Sequence, residues 1–167
     1  MESCANKTQG LDLVQMREFR WQIEEFNAEY ARVLDCGDFY DWPRLFCPEP
    51  FYRVVDRYNY DSGLQYGLIY CDSLGMLEDR VQAVKSAMMY EPRTITHLIT
   101  NVRVLGFAAV AGIVSAEANF LLIENLVDRD PRILMVGRYI DAFVPTKEGL
   151  LIKKRECVST RSRCKRR

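Results

Sequence analysis

The stretch from Leu74 to Val104 constrains the chain most, because its hydrophobic period changes from helical to alternating across a single proline. Leu77, Val81, Val84 and Met88 recur at helical spacing, with Glu78, Asp79, Gln82 and Lys85 between them, which predicts an amphipathic helix. Glu91-Pro92 stops it, since a residue before proline avoids the α region. From Ile95 the period is two. Alternation puts Thr96, Leu98, Thr100, Val102 and Val104 on one face and Ile95, His97, Ile99, Asn101 and Arg103 on the other.

The rest of the chain divides around that stretch. Asp12 can cap a helix running to about Leu34, with Leu13, Met16, Ile23, Phe26, Tyr30 and Val33 as its apolar stripe and Gly37 suited to its end. A short second helix from Asp38 includes Tyr40 and Trp42 and is closed by Pro48 and Pro50. Phe51 to Tyr58 reads as a strand, Asp61-Ser62-Gly63 as a turn, and Leu64 to Asp72 as a second extended segment. Asp72 or Ser73 can cap the next helix. After Val104 a turn is expected near Gly106. Strands then follow over Ile113–Val127, Ile133–Val144 and Leu150–Val158, with a hairpin turn at Asp128-Arg129-Asp130-Pro131. Helices first and long antiparallel strands after them predict an α+β domain with the helices in the concave side of a bent sheet.

The totals narrow the class. At 167 residues and 49% hydrophobic, the chain fits one domain over 1–167, with 1–11 and 161–167 as flexible tails. A formal net charge of zero gives no global pull toward nucleic acid or an anionic membrane. The run Leu105–Val114 is too short to span a bilayer and the first residues carry no signal-peptide pattern, so a cytoplasmic location is expected. Six cysteines without a C-x-x-C pair read as free thiols. The basic end, Arg161 to Arg167, has no aromatic residues among its charges and reads as a solvated tail.

One count excludes most metal chemistry: the chain has a single histidine, His97. A Rieske centre takes two histidines, as does a mononuclear iron site of the two-His-one-carboxylate type. Neither can be completed within this chain, and no G-x-G-x-x-G, P-loop or G-x-S-x-G is present.

The ordered set of Leu77-Glu78-Asp79-Arg80, Pro92-Arg93, His97, Asn101-Val102-Arg103-Val104, Phe51-Tyr52-Arg53-Val54, Gly137-Arg138-Tyr139 and Lys153-Lys154-Arg155 resembles the small (β) subunit of aromatic-ring-hydroxylating dioxygenases. The resemblance covers roughly Phe26 to Thr160, and the Tyr52–Tyr70 spacing and Gly-Met-Leu-x-Asp-Arg form are most similar to the terephthalate and salicylate branch. It implies an NTF2-like, scytalone-dehydratase-like cone built on a strongly curved sheet. It also implies a non-catalytic subunit that binds copies of itself and a large (α) subunit as α3β3. The Rieske 2Fe–2S cluster and mononuclear iron would lie in that partner and no cofactor in this chain.

Some NTF2-like proteins use an Asp–His pair or paired tyrosines in the cone as dehydratases or isomerases. Here His97 shares the alternating face of Asn101 and Arg103, with Asp56, Tyr52, Tyr70 and Asp79 as possible neighbours. It is either a general base of such a stand-alone enzyme or ligand-binding module, or a structural histidine bonded between strands or subunits. Asp79, Arg80, Arg93, His97, Arg103 and Arg138 are the candidates for subunit contacts. The Arg103 and Arg138 side chains would be buried unpaired in a monomer, and Lys153-Lys154-Arg155 after Leu150-Leu151-Ile152 reads as the basic rim of a contact.

Overall fold

Helix α1 (Leu13–Asp35) starts at Asp12, whose side chain accepts from the Gln15 amide at 2.7 Å while the Gln15 side chain bonds back to the Asp12 amide, a complete capping box. A 3-10 turn (Phe39–Leu45) follows, then β1 (Phe46–Asp56), α2 (Arg57–Asp61), β2 (Ile69–Cys71) and α3 (Leu74–Tyr90). Four long strands complete the chain: β3 (Arg93–Ala108), β4 (Ile113–Leu126), β5 (Arg129–Thr146) and β6 (Gly149–Ser159). The computed structural model describes residues 11–90 and 93–160, apart from the side chains of residues 88–90. The expected leader, basic tail, Glu91-Pro92 break and Met88 contact lie outside these described residues.

The six strands form one sheet in the order β2-β1-β6-β5-β4-β3. All neighbours are antiparallel except β1 and β6, which run parallel with Val54 opposite Cys157. An all-antiparallel sheet is therefore corrected at one seam. Hairpins join β3 through β6 in sequence, but more than half of the chain lies between β1 and β6, long enough for the crossover that a parallel pair requires. Helix α1 packs on β3 and β6 across the concave face. Ile23, Tyr30 and Val33 of that helix, Val114, Ala116, Ala118 and Phe120 of β4, and Tyr139 and Phe143 of β5 are all in the core.

Bulges bend this sheet and overturn simple alternation. Between Thr100 and Arg103, β3 carries one residue more than β4 does between Asn119 and Glu117. Asn101 takes the bend at φ 55°, a left-handed conformation that asparagine tolerates. Before it Ile95, His97 and Ile99 face inward; after it Val102 and Val104 do. His97 and Arg103, expected on one face, therefore lie on opposite faces. Lys153 is a second extra residue, since Ala142 faces Lys154 and Phe143 faces Ile152. Leu150 and Ile152 point inward before it, and Arg155 and Cys157 after it.

Other boundaries move for local reasons. Pro48 and Pro50 do not close the second helix. They sit in β1, between its paired residues Phe46 and Phe51, where no ladder hydrogen bond requires their missing N–H. Asp56 ends β1 early by capping α2 through the Asn59 amide at 2.9 Å, so Tyr58 is helical. Only Ile69–Cys71 of the segment 64–72 pairs as a strand. Gly106 lies within β3, and the turn falls at residues 109–112. No helix among the described residues is long and apolar enough to cross a membrane.

Gly137 shows how tightly the core depends on the sheet. It pairs with Phe120, whose ring covers it and stacks on Tyr139 at 4.5 Å between centroids. A Cβ on Gly137 would come within 2.2 Å of the Val158 carbonyl oxygen and 2.8 Å of the Phe120 ring. Gly137→Ala is expected to destabilise the fold by about 2–4 kcal/mol through overpacking and backbone shift, read as a lower urea midpoint.

Candidate functional site

The interior of the cone is filled by an ion pair. Arg155, on β6, is wholly buried. Its Nε and Nη2 donate to the Asp141 carboxylate at 2.9 and 2.8 Å, and Nη2 also donates to Asn27 Oδ1 at 2.7 Å. The Tyr30 and Tyr139 rings lie on the guanidinium at 4.3 Å each. Burial pushes the Asp141 carboxyl up from its ordinary range, with Arg155 opposing. Burial alone would lower Arg155, but the Asp141 carboxylate outweighs it and holds the guanidinium charged. The expected basic rim at Lys153-Lys154-Arg155 is thus corrected: the bulge at Lys153 turns Arg155 into the core, while Lys153 and Lys154 stay exposed.

His97 has a carboxylate partner, but not one of those expected. Asp35, the last residue of α1, accepts from the His97 backbone N–H at 3.0 Å and lies 2.5 Å from its Nδ1. A carboxylate accepts only, so Nδ1 carries a proton toward Asp35. The Tyr30 ring meets the imidazole edge-on at 6.4 Å. Of the expected neighbours, Tyr52 lines the same cavity as His97. Asp56 caps α2, Tyr70 bonds Asp72 at 3.3 Å, and Asp79 is exposed on α3. Asp35 gave only a weak signal: an acid at a helix C-terminus opposes the macrodipole and so needs donors from elsewhere.

The cavity at the wide mouth of the cone has a volume of about 500 Å³. The end of α1, the 3-10 turn, α3 and the start of β3 enclose it. Phe39, Trp42 and Tyr52 supply ring surfaces, and Arg80, Arg93, Asp35 and His97 supply charge or hydrogen bonds. His97 Nε2 could accept a proton from a molecule held there. Tyr52, a possible acid, has its hydroxyl pKa raised by burial first and by the neighbouring Cys157. Among the described residues no three His, Cys, Asp or Glu side chains converge to hold a metal ion. Cys36, Cys47, Cys71 and Cys157 are free thiols.

The arginines separate into two groups. Arg93 donates at 3.1 Å to Glu124, a fully buried carboxylate that also accepts from Arg132 at 2.5 Å. Arg103 and Arg138 are on the convex face, their side chains 73% and 45% exposed, and both pair with Glu117 at 2.9 and 3.5 Å. A monomer therefore does not bury them unpaired, because the bulge at Asn101 turns Arg103 outward. Beside them runs an apolar row. Leu98 pairs with Leu121 and Leu121 with Val136, while Ile123 and Ile133 pair in the row next to it. Leu98, Val136 and Ile133 are 45%, 41% and 64% exposed.

A curved, open six-stranded sheet with α1 in its concave face is an NTF2-like fold. The chain belongs to the ring-hydroxylating beta-subunit family, whose profile matches residues 29–164. It is 30% identical over 137 residues to the terephthalate 1,2-dioxygenase terminal oxygenase component subunit beta 2 of Comamonas sp, across 82% of this chain and 88% of that one. A crystal structure described as the beta subunit of an aromatic-ring-hydroxylating dioxygenase from Novosphingobium aromaticivorans is 34% identical, with a TM-score of 0.79 over 88% of this chain and 92% of its own. A structure described as a scytalone dehydratase from the same organism shares the fold, with a TM-score of 0.67 at 18% identity over 93% and 91% of the two chains.

Two consequences follow for stability. Asp35→Ala strands both the backbone N–H and the ring N–H of His97, whereas His97→Ala removes only the ring contact and leaves the Asp35 carboxylate its bond from the backbone N–H of residue 97. Asp35→Ala is expected to cost about 2–3 kcal/mol and His97→Ala about 1 kcal/mol, by chemical denaturation. Glu124 is held below the ordinary carboxylate range, foremost by the hydrogen bond from Arg132 and also by that from Arg93, against its burial. A folded value below the unfolded one means the contribution is complete above the unfolded value near 4.5 and is lost as pH falls through the folded one. Glu124→Gln should lower Tm at neutral pH and flatten its fall below about pH 4.5.

Proposed function

We propose that this chain is the non-catalytic small subunit of a ring-hydroxylating oxygenase. Its large partner would hold the Rieske cluster and the mononuclear iron and add O2-derived oxygen to an aromatic carboxylate. The observation that carries the reading is the family match over residues 29–164. Two features of the chain support it. Its single histidine bonds to Asp35, so no residue set here fits either iron centre. Its convex face presents apolar side chains that a solitary protein would leave to water. Terephthalate, named for one relative, is an aromatic dicarboxylate, which supports that substrate class.

For the assembly we propose three copies of this chain with three large subunits, α3β3, in the cytoplasm. The row Leu98–Leu121–Val136 packs against a neighbouring subunit, and Arg103, Glu117 and Arg138 form the charged edge of that contact. The dehydratase reading has one favouring observation, the Asp35–His97 pair beside a cavity. The same pair ties the end of α1 to β3, which accounts for it without chemistry.

Light scattering of the chain alone and co-expressed with its large subunit tests the proposal. A trimer alone and a hexamer with the partner are expected, with iron and visible absorbance only in the hexamer. Val136→Asp and Arg138→Glu should shift the mass to monomer with little change in Tm, since both side chains are over 40% exposed. A monodisperse wild-type monomer that binds no large subunit would refute it, as would iron retained by the chain alone or dehydratase activity lost in His97→Ala.

A further inference from the structure

The cavity at the cone mouth has a chemistry that neither the subunit role nor the helix–strand latch explains. Its volume of about 500 Å³ is within the roughly 300–1,000 Å³ typical of small-molecule sites. Phe39, Trp42 and Tyr52 contribute ring surface from the 3-10 turn and β1. Trp42 and Tyr52 are held rigidly, with ring centroids 5.1 Å apart and planes nearly perpendicular.

The charge around the cavity is positive. Arg80 projects from the exposed side of α3 to its rim, and among the described residues no ion pair or hydrogen bond engages it. Arg93 shares Glu124 with Arg132, so two guanidiniums face one carboxylate and one positive charge stays uncompensated. Among the described residues Asp35 is the one acid in the lining, and both of its oxygens accept from His97. With His97 neutral, the described residues leave one positive charge: one from Arg80 and one from the Arg93 group, less one for Asp35. A guanidinium that no described residue pairs with, at the mouth of a ring-lined pocket, fits a planar carboxylate, which it can grip bidentately while the ring lies against the aromatic walls.

We propose that this cavity is a binding site for a small aromatic carboxylate, with Arg80 at the rim holding the carboxylate group. The site lies within the single chain, so it does not rest on the subunit reading. Failure to bind leaves the assembly untouched, and failure to assemble leaves the site intact.

The test uses the full chain and its own fluorescence. The chain has two tryptophans, Trp21, which is 58% exposed, and Trp42, which is 5% exposed. Trp21→Phe leaves Trp42 as the only indole reporter. Benzoate should change its emission saturably and bind about tenfold or more tighter than benzyl alcohol, which has the ring without the charge. In the same background Arg80→Gln should bring benzoate down to the level of the alcohol, and Arg80→Lys should recover part of the difference. Arg80 is exposed and has no ion pair or hydrogen bond among the described residues, so an unchanged thermal melt is expected for both variants. No saturable response, equal affinity for acid and alcohol, or benzoate binding unaffected by Arg80→Gln would each overturn the proposal.

Discussion

The Arg155–Asp141 pair sets what the inside of this cone can be. A buried guanidinium and carboxylate joined by two hydrogen bonds, with Asn27 as a third contact and two tyrosine rings against the guanidinium, fill the inside of the cone. Removing either partner would leave a buried charge at a cost of about 3–5 kcal/mol, so the two are retained together. The pair also joins three elements. Asn27 and Tyr30 come from α1, Asp141 and Tyr139 from β5, and Arg155 from β6. The helix is thereby fixed in the concave face by polar contacts of defined geometry as well as by apolar packing.

That arrangement requires the strands to be bent and their parity reset. Without the extra residue at Lys153, Arg155 would point to the convex face; without the one at Asn101, so would Val102 and Val104. The curvature that makes room for α1 and the inward aim of the residues that hold it therefore share one cause.

The same bulges mark where the sequence was legible. The helix and strand periods, the Asp12 cap and the long final strands could all be read, because each rests on local pattern. Strand faces could not be read across a bulge. The positions Ile95 and Ile99 are odd and Val102 and Val104 even, so the parity change was present in the letters, but a strict alternation conceals it. Arg155 was misread for this reason, since three consecutive basic residues look like surface unless the extra residue between Ile152 and Arg155 is known. The cavity was half legible. His97 was found because it is unique, whereas Asp35 and Trp42 reach it only through the tertiary packing of α1 and the 3-10 turn on β3 and β1.

Inside and outside carry different work in this fold. The inner face of the sheet carries the Arg155–Asp141 plug, the Asp35–His97 contact and the cavity beside it. The outer face differs along its width. Over β1 and β6 it is covered by α2, where Arg53 pairs with Glu156 and Lys154 reaches the same carboxylate at 2.7 Å. Over β3, β4 and β5 no described element covers Leu98, Val136 or Ile133. Burying that row needs another protein surface, while filling the cavity needs only a small molecule. The fold can therefore serve an assembly through its convex face without giving up the binding capacity of its concave one, because the sheet between them keeps the two sets of side chains apart.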